Sequence, residues 1–151
     1  MKLKDVACAD GQLRFRIPAG WTEVREGDGE VAYYDETLDQ GTLRVKLSTF
    51  TTEDDLRGHR ALDELAALEA EPGQTLEELP DGSALRFHRE EIERAGERTV
   101  FHVWLLANLD PPHRMRLAIF SLMVRATEER QELLAVLDTE IRRSRFGQPV
   151  S

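Results

Sequence analysis

The chain has 151 residues, 40% of them hydrophobic and 32% charged, with a net charge of -9 and a pI near 5.0. That length suits one domain with a closed core, the apolar content excludes a disordered chain, and no uncharged apolar run approaches the ~20 residues of a membrane-spanning helix. The acidic balance repels phosphate backbones, which argues against nucleic acid, and suits a basic protein partner.

Residues 1–10 carry no expected element and, with 147–151, are expected to fray at the ends of a single domain spanning 1–151. Val6-Ala7-Cys8 lacks the apolar segment that an export signal needs, with Asp5 in its place. One cysteine cannot close an internal disulfide, which suits a reducing cytoplasm. Flanked by Asp5 and Asp10, the Cys8 thiol is expected to be a poor nucleophile.

Leu13, Phe15 and Ile17 alternate with Gln12, Arg14 and Arg16, the period-two pattern of a half-buried strand that Pro18 and Gly20 end. A short run from Trp21 to Val24 follows, Gly27-Asp28-Gly29 supplies a turn, and Val31 to Tyr34 has the composition of a strand. After Asp39-Gln40-Gly41 the alternation returns at Leu43, Val45 and Leu47. Trp21, Tyr33 and Tyr34 are the expected partner-binding aromatics, because aromatic side chains near turns can anchor interfaces; packing beneath a helix is the competing role for Trp21.

Thr52 is the expected N-cap of a helix over 53–70, with Glu53, Asp54 and Asp55 in its first turn and Pro72-Gly73 beyond its end. A second helix is expected after Thr127, where Leu133, Leu134, Leu137 and Ile141 form one apolar stripe. Arg142-Arg143-Ser144-Arg145 falls at its end, where cations complement the helix dipole.

Between the helices, strands are expected over 83–94, 97–109 and 113–125. Pairing Arg94 with Glu97 sets Phe87 opposite Trp104 and Leu85 opposite Leu106. Pairing Leu109 with Arg114 sets Trp104 opposite Ile119 and Leu106 opposite Leu117, leaving Phe101, Val103, Leu105, Phe120, Leu122 and Val124 on the reverse face. Both faces are then apolar at the centre and need cover. The expected fold is α+β, an antiparallel sheet with one helix on each face in a three-layer α/β/α sandwich.

This order of elements, with Pro18, Gly20 and Trp21 leading to an aromatic strand that ends Tyr33-Tyr34-Asp35 and then to Gly41-Thr42-Leu43-Arg44-Val45, resembles the PsbP-like fold family, which includes bacterial DcrB-type proteins. The resemblance implies a bacterial-type binding, docking or assembly factor without enzymatic activity. It supplies no functional residues.

No catalytic, metal or cofactor residues emerge from the motifs. The expected hairpin register puts His88 and His102 on opposite sheet faces, so they share no metal, while His59 and His113 are expected in solvent. Glu90, Glu91 and Glu93 form a uniformly wet tip rather than an acid–base pair, and Gly27-Asp28-Gly29 lacks the lysine of a phosphate-binding loop. The leading expectation is a cytoplasmic, non-enzymatic protein-binding or adaptor module, such as a secretion-associated chaperone or an immunity-like protein, with a basic partner or a second copy of itself. The alternative is a small hydrolase or ligand-binding enzyme with a pocket between helix and sheet.

Overall fold

Alternating apolar and polar residues turn most of the chain into strands; the computed structural model describes residues 1–68 and 75–147. In chain order the described elements are β1 (Leu3–Cys8), β2 (Leu13–Pro18), β3 (Thr22–Arg25), β4 (Val31–Tyr34), β5 (Thr42–Thr51), α1 (Ala61–Ala67), β6 (Thr75–Glu78), β7 (Ala84–Arg94), β8 (Glu97–Asp110), β9 (Arg114–Arg125), α2 (Gln131–Arg142) and β10 (Arg145–Phe146). They form a three-stranded sheet, β1-β2-β10, and a seven-stranded sheet, β3-β4-β5-β9-β8-β7-β6. Every pairing among the described residues is antiparallel. The chain is therefore α+β, as expected.

The β7/β8 hairpin has the expected register: Arg94 lies opposite Glu97, Phe87 opposite Trp104 and Leu85 opposite Leu106. The next turn does not. Asp110 pairs with Arg114, so Pro111, Pro112 and His113 alone make the turn, and β9 is shifted by one residue from the expected pairing. Because side chains alternate with period two, that slip moves every β9 side chain to the other face. Trp104 now faces Phe120 and Leu106 faces Ala118, while Leu105 faces Ile119 and Phe101 faces Met123.

One face of the large sheet carries Tyr33, Leu43, Val45, Leu85, Trp104, Leu106, Phe120 and Leu122, packed with Leu13, Phe15 and Ile17 of β2 and Leu133, Leu137 and Ile141 of α2. The Phe15 ring meets Tyr33 and Phe120 edge-on at 5.6 and 5.3 Å, locking the small sheet onto the large one. Burying each large aliphatic side chain of this layer contributes about 1.5–3 kcal/mol before entropy is counted.

On the opposite face, Ala84, Leu105, Ala107 and Leu117 pack with Ala61 and Leu65 of α1. A seven-residue helix cannot span seven strands, and farther along this face Ile119 remains 38% exposed. The first face is covered by a second sheet together with α2, so two helices alone do not form the expected helical layer on each side.

Three local expectations change. Residues 3–8, expected to fray, form β1 along the whole of β2, from Leu3 opposite Pro18 to Cys8 opposite Leu13. The first helix starts at Ala61 rather than near residue 53, because Thr52 and Asp55 spend their side chains on the amides of Asp54 and Arg57 in local turns, and Gly58 takes φ +82. Positions 69 and 70 of that expected helix lie outside the described residues, as do 148–151. The second helix starts at Gln131, after a 3-10 turn at Ala126–Glu128.

Candidate functional site

The β7/β8 register places Phe87 and Arg89 beside Trp104 and His102 on one sheet face, and α2 crosses above them. Between helix and sheet runs a cleft of about 480 Å³, lined by Phe87, Arg89, His102, Trp104, Glu129, Gln131, Leu134, Ala135, Asp138 and Arg142. Its size falls in the range of small-ligand and side-chain pockets. The floor is aromatic: Phe87 and Trp104 lie 5.3 Å apart between centroids, and His102 stacks 6.3 Å from each.

At one end, His102 Nε2 meets Glu129 Oε2 at 2.6 Å. An ionised carboxylate only accepts, so Nε2 carries the proton and donates. Arg89 grips the same carboxylate from β7 with two further bonds, 3.1 Å to Oε2 and 3.2 Å to Oε1, and also reaches Glu91. Burial, with only 3% of the residue exposed, pushes the His102 pKa below 6.5, although Glu129 pulls it the other way. The Arg89 guanidinium, with His102 second, holds Glu129 below the usual carboxylate range.

At the other end, the Trp104 indole N–H donates to Asp138 Oδ1 at 3.0 Å, and Arg142 Nε donates to Asp138 Oδ2 at 2.8 Å. Arg142 also pairs with Glu77 of β6, so this arginine from the expected basic run at the helix end ties α2 to the edge of the sheet. None of the lining side chains is a serine, threonine, cysteine, lysine or tyrosine. The ionisable groups meet one another: Glu129 with Arg89 and His102, and Asp138 with Arg142.

Of the three aromatics expected at an interface, two are core residues. Trp21 is 2% exposed and Tyr33 is fully buried, because the β4 alternation turns Tyr33 under β2, where its hydroxyl donates to Glu23 at 3.1 Å. Tyr34, one residue on, is half-buried on the other face. His88 lies opposite Val103 while His102 lies opposite Arg89, so the two imidazoles occupy opposite faces as expected. His59 is an exposed partner of Glu64 at 2.7 Å, and exposed His113 donates from Nδ1 to the Asp54 carbonyl at 3.0 Å. Among the described residues no group of three or more metal-ligating side chains converges. Cys8 is buried at the end of β1, and burial, with Glu23 second, pushes its thiol up to about 11.

Arg89, His102, Glu129 and Asp138 carry no local motif. The hairpin register itself could have grouped Phe87, Arg89, His102 and Trp104 on one face, but Glu129 arrives from a turn 27 residues beyond His102 and leaves no sequence signal.

No family model matches the chain, and no curated protein matches it. Solved structures do. A protein from Bacteroides thetaiotaomicron superposes with a TM-score of 0.65 at 15% identity, covering 98% of this chain and 50% of that one, so the chain spans half the length of that protein. LpqN of Mycobacterium tuberculosis, described as involved in cell envelope biogenesis, superposes with a TM-score of 0.61 at 12% identity over 97% of this chain and 91% of LpqN. The cyanobacterial PsbP of Synechocystis superposes at 0.47 with 14% identity, over 96% of this chain and 92% of that one. At such identities the likeness to the first two is one of fold alone. Among the described residues no helix is long and apolar enough to cross a membrane.

Proposed function

We propose that this chain is a non-enzymatic protein-binding module, and that the cleft between α2 and the β7/β8 hairpin receives an apolar or aromatic side chain from a partner protein. The observation that carries the reading is an aromatic floor bordered by charged groups already engaged with one another, with no hydroxyl, thiol or amine nucleophile in the lining. Such a wall recognises shape and supplies hydrogen-bond geometry. The chain's net charge of -9 favours a partner that is basic around the inserted side chain. We extend the proposal to a cytoplasmic setting, which a single buried thiol supports.

The test fills the cleft. Ala135 is exposed on the α2 wall, so Ala135→Phe occupies the groove without entering the core. Affinity capture from the native host, read by mass spectrometry, is expected to recover a stoichiometric protein with the wild type and to lose it with Ala135→Phe. Equal recovery by both proteins would sink the cleft reading.

One observation favours a second reading, a small hydrolytic enzyme: His102, with Nε2–H engaged by Glu129, has the arrangement of a histidine oriented as a general base. In that case water is the nucleophile, and activity towards activated esters would vanish in His102→Gln. No turnover above buffer with a panel of such esters would count against it.

A further inference from the structure

The sheet face opposite the cleft is open beyond α1, and its side chains form an ordered grid. Cross-strand partners give three rows over β5, β9, β8 and β7: Lys46, Ile119, Leu105, Arg86; then Arg44, Ser121, Val103, His88; then Thr42, Met123, Phe101, Glu90. The two central columns are apolar except for Ser121. Ile119 is 38% exposed, and Phe101, Val103 and Met123 are half-buried. In the chain as a whole acids outnumber Lys and Arg by 29 to 20, yet these positions hold three such bases and one acid. Lys46 makes no ion pair among the described residues; Arg44 is tied to Glu26 at 3.0 Å, and Arg86 has an interaction of its own.

We infer that this face docks an acidic amphipathic helix of another protein. Two strands spaced ~4.8 Å apart present an apolar strip about as wide as one helix, which is ~10 Å across. A helix laid along β9 and β8 continues the layer begun by α1, with its apolar stripe on Ile119, Val103, Phe101 and Met123. Its flanking carboxylates then fall beside Lys46 and beside Arg44, which Glu26 already shares, along a flank whose strand positions hold bases and no acid.

A second copy of the chain fits poorly. A twofold axis along the strands sets Lys46 against Arg86 and Arg44 against His88, and one across the strands sets Arg44 against Arg44. Nucleic acid also uses cations and aromatics, but the chain's net charge repels it.

Two fluorescently labelled amphipathic peptides test the assignment, each with one leucine stripe, one carrying Glu on its polar face and the other Lys. The Glu peptide is expected to bind, with methyl NMR shifts at Ile119, Val103 and Met123 rather than at Leu134 or Leu137. Raising salt is expected to weaken it, and Lys46→Glu to weaken it roughly tenfold while leaving thermal unfolding unchanged. Ile119→Ala, which keeps the strand and every charge, provides a second loss of affinity. Equal binding of the Lys peptide, no binding of either, shifts confined to α2, dimerisation through this face in sedimentation, or displacement of the Glu peptide by a single-stranded oligonucleotide would each overturn the proposal.

Discussion

His102 and Glu129 join β8 to the turn that launches α2: 27 residues apart in sequence, their side chains meet at 2.6 Å with the imidazole buried and the carboxylate also held by Arg89. That contact fixes where the helix starts over the sheet, and with it the width of the cleft.

Acidification is expected to loosen this joint. The folded-state pKa of His102 lies below its ordinary value of 6.5, so the unfolded chain binds the proton more readily; the contribution to stability is full above 6.5 and fades as pH falls through the folded value. Glu129 is also depressed, from 4.5, so its contribution is present above that value and fades as pH falls through its folded pKa. Both signs agree. The thermal midpoint should drop by a few degrees between about pH 7.5 and pH 5.5, and His102→Gln should flatten that slope. An NMR titration of His102 with a midpoint above 6.5 would contradict the assignment.

Asp138 accepts from the buried Trp104 indole and from Arg142. Asp138→Ala leaves the indole N–H without its partner and should cost about 1–2 kcal/mol in urea unfolding, whereas Asp138→Asn keeps an acceptor and should cost less. Equal losses in the two variants would show that the hydrogen bond is not the cause.

Gly41 turns the chain into β5 at φ +99, and a Cβ there would lie 2.7 Å from the Met123 carbonyl oxygen and 3.0 Å from Val124 Cβ. Gly41→Ala therefore combines a disfavoured backbone with a backbone clash and should destabilise by about 1–3 kcal/mol in chemical denaturation.

Arg116 is 5% exposed and donates to the Asn108 side chain at 2.8 and 3.2 Å and to the Gly147 carbonyl at 2.6 Å, with its guanidinium 5.1 Å from the Phe146 ring centroid. Arg116→Lys keeps the charge and loses the fork, so it should free the β10 segment: amide exchange at Gly147, whose N–H donates to Gln12, should rise sharply while exchange in β8 stays slow. Unchanged protection at Gly147 would remove the guanidinium from that role.

The β strands of the middle of the chain were readable because alternation is a direct imprint of a two-sided sheet, and the Ala95-Gly96 turn fixed the β7/β8 register. The β9 register was not, since Asp110 before two prolines reads equally as the end of a strand or as part of the turn, and one residue decides the face of Phe120 and Leu122. Thr52 and Asp55 carry the chemistry of a helix start but serve turns with the same side-chain oxygens. Trp21 and Tyr33 sit near turns in sequence and deep in the core in space, because β1 and β2 form a second sheet that only pairing over the whole N-terminal segment reveals. The cleft depends on Glu129 and Asp138 reaching strands far away in sequence, which no local pattern encodes.

Along β8, His102 and Trp104 point into the cleft while Phe101 and Val103 point the other way. The two surfaces are thus back to back across a single backbone thickness, and their occupants cannot obstruct each other. Saturating one side leaves the other vacant, so an assembly using both would be a layered stack with one copy of this chain as its middle sheet.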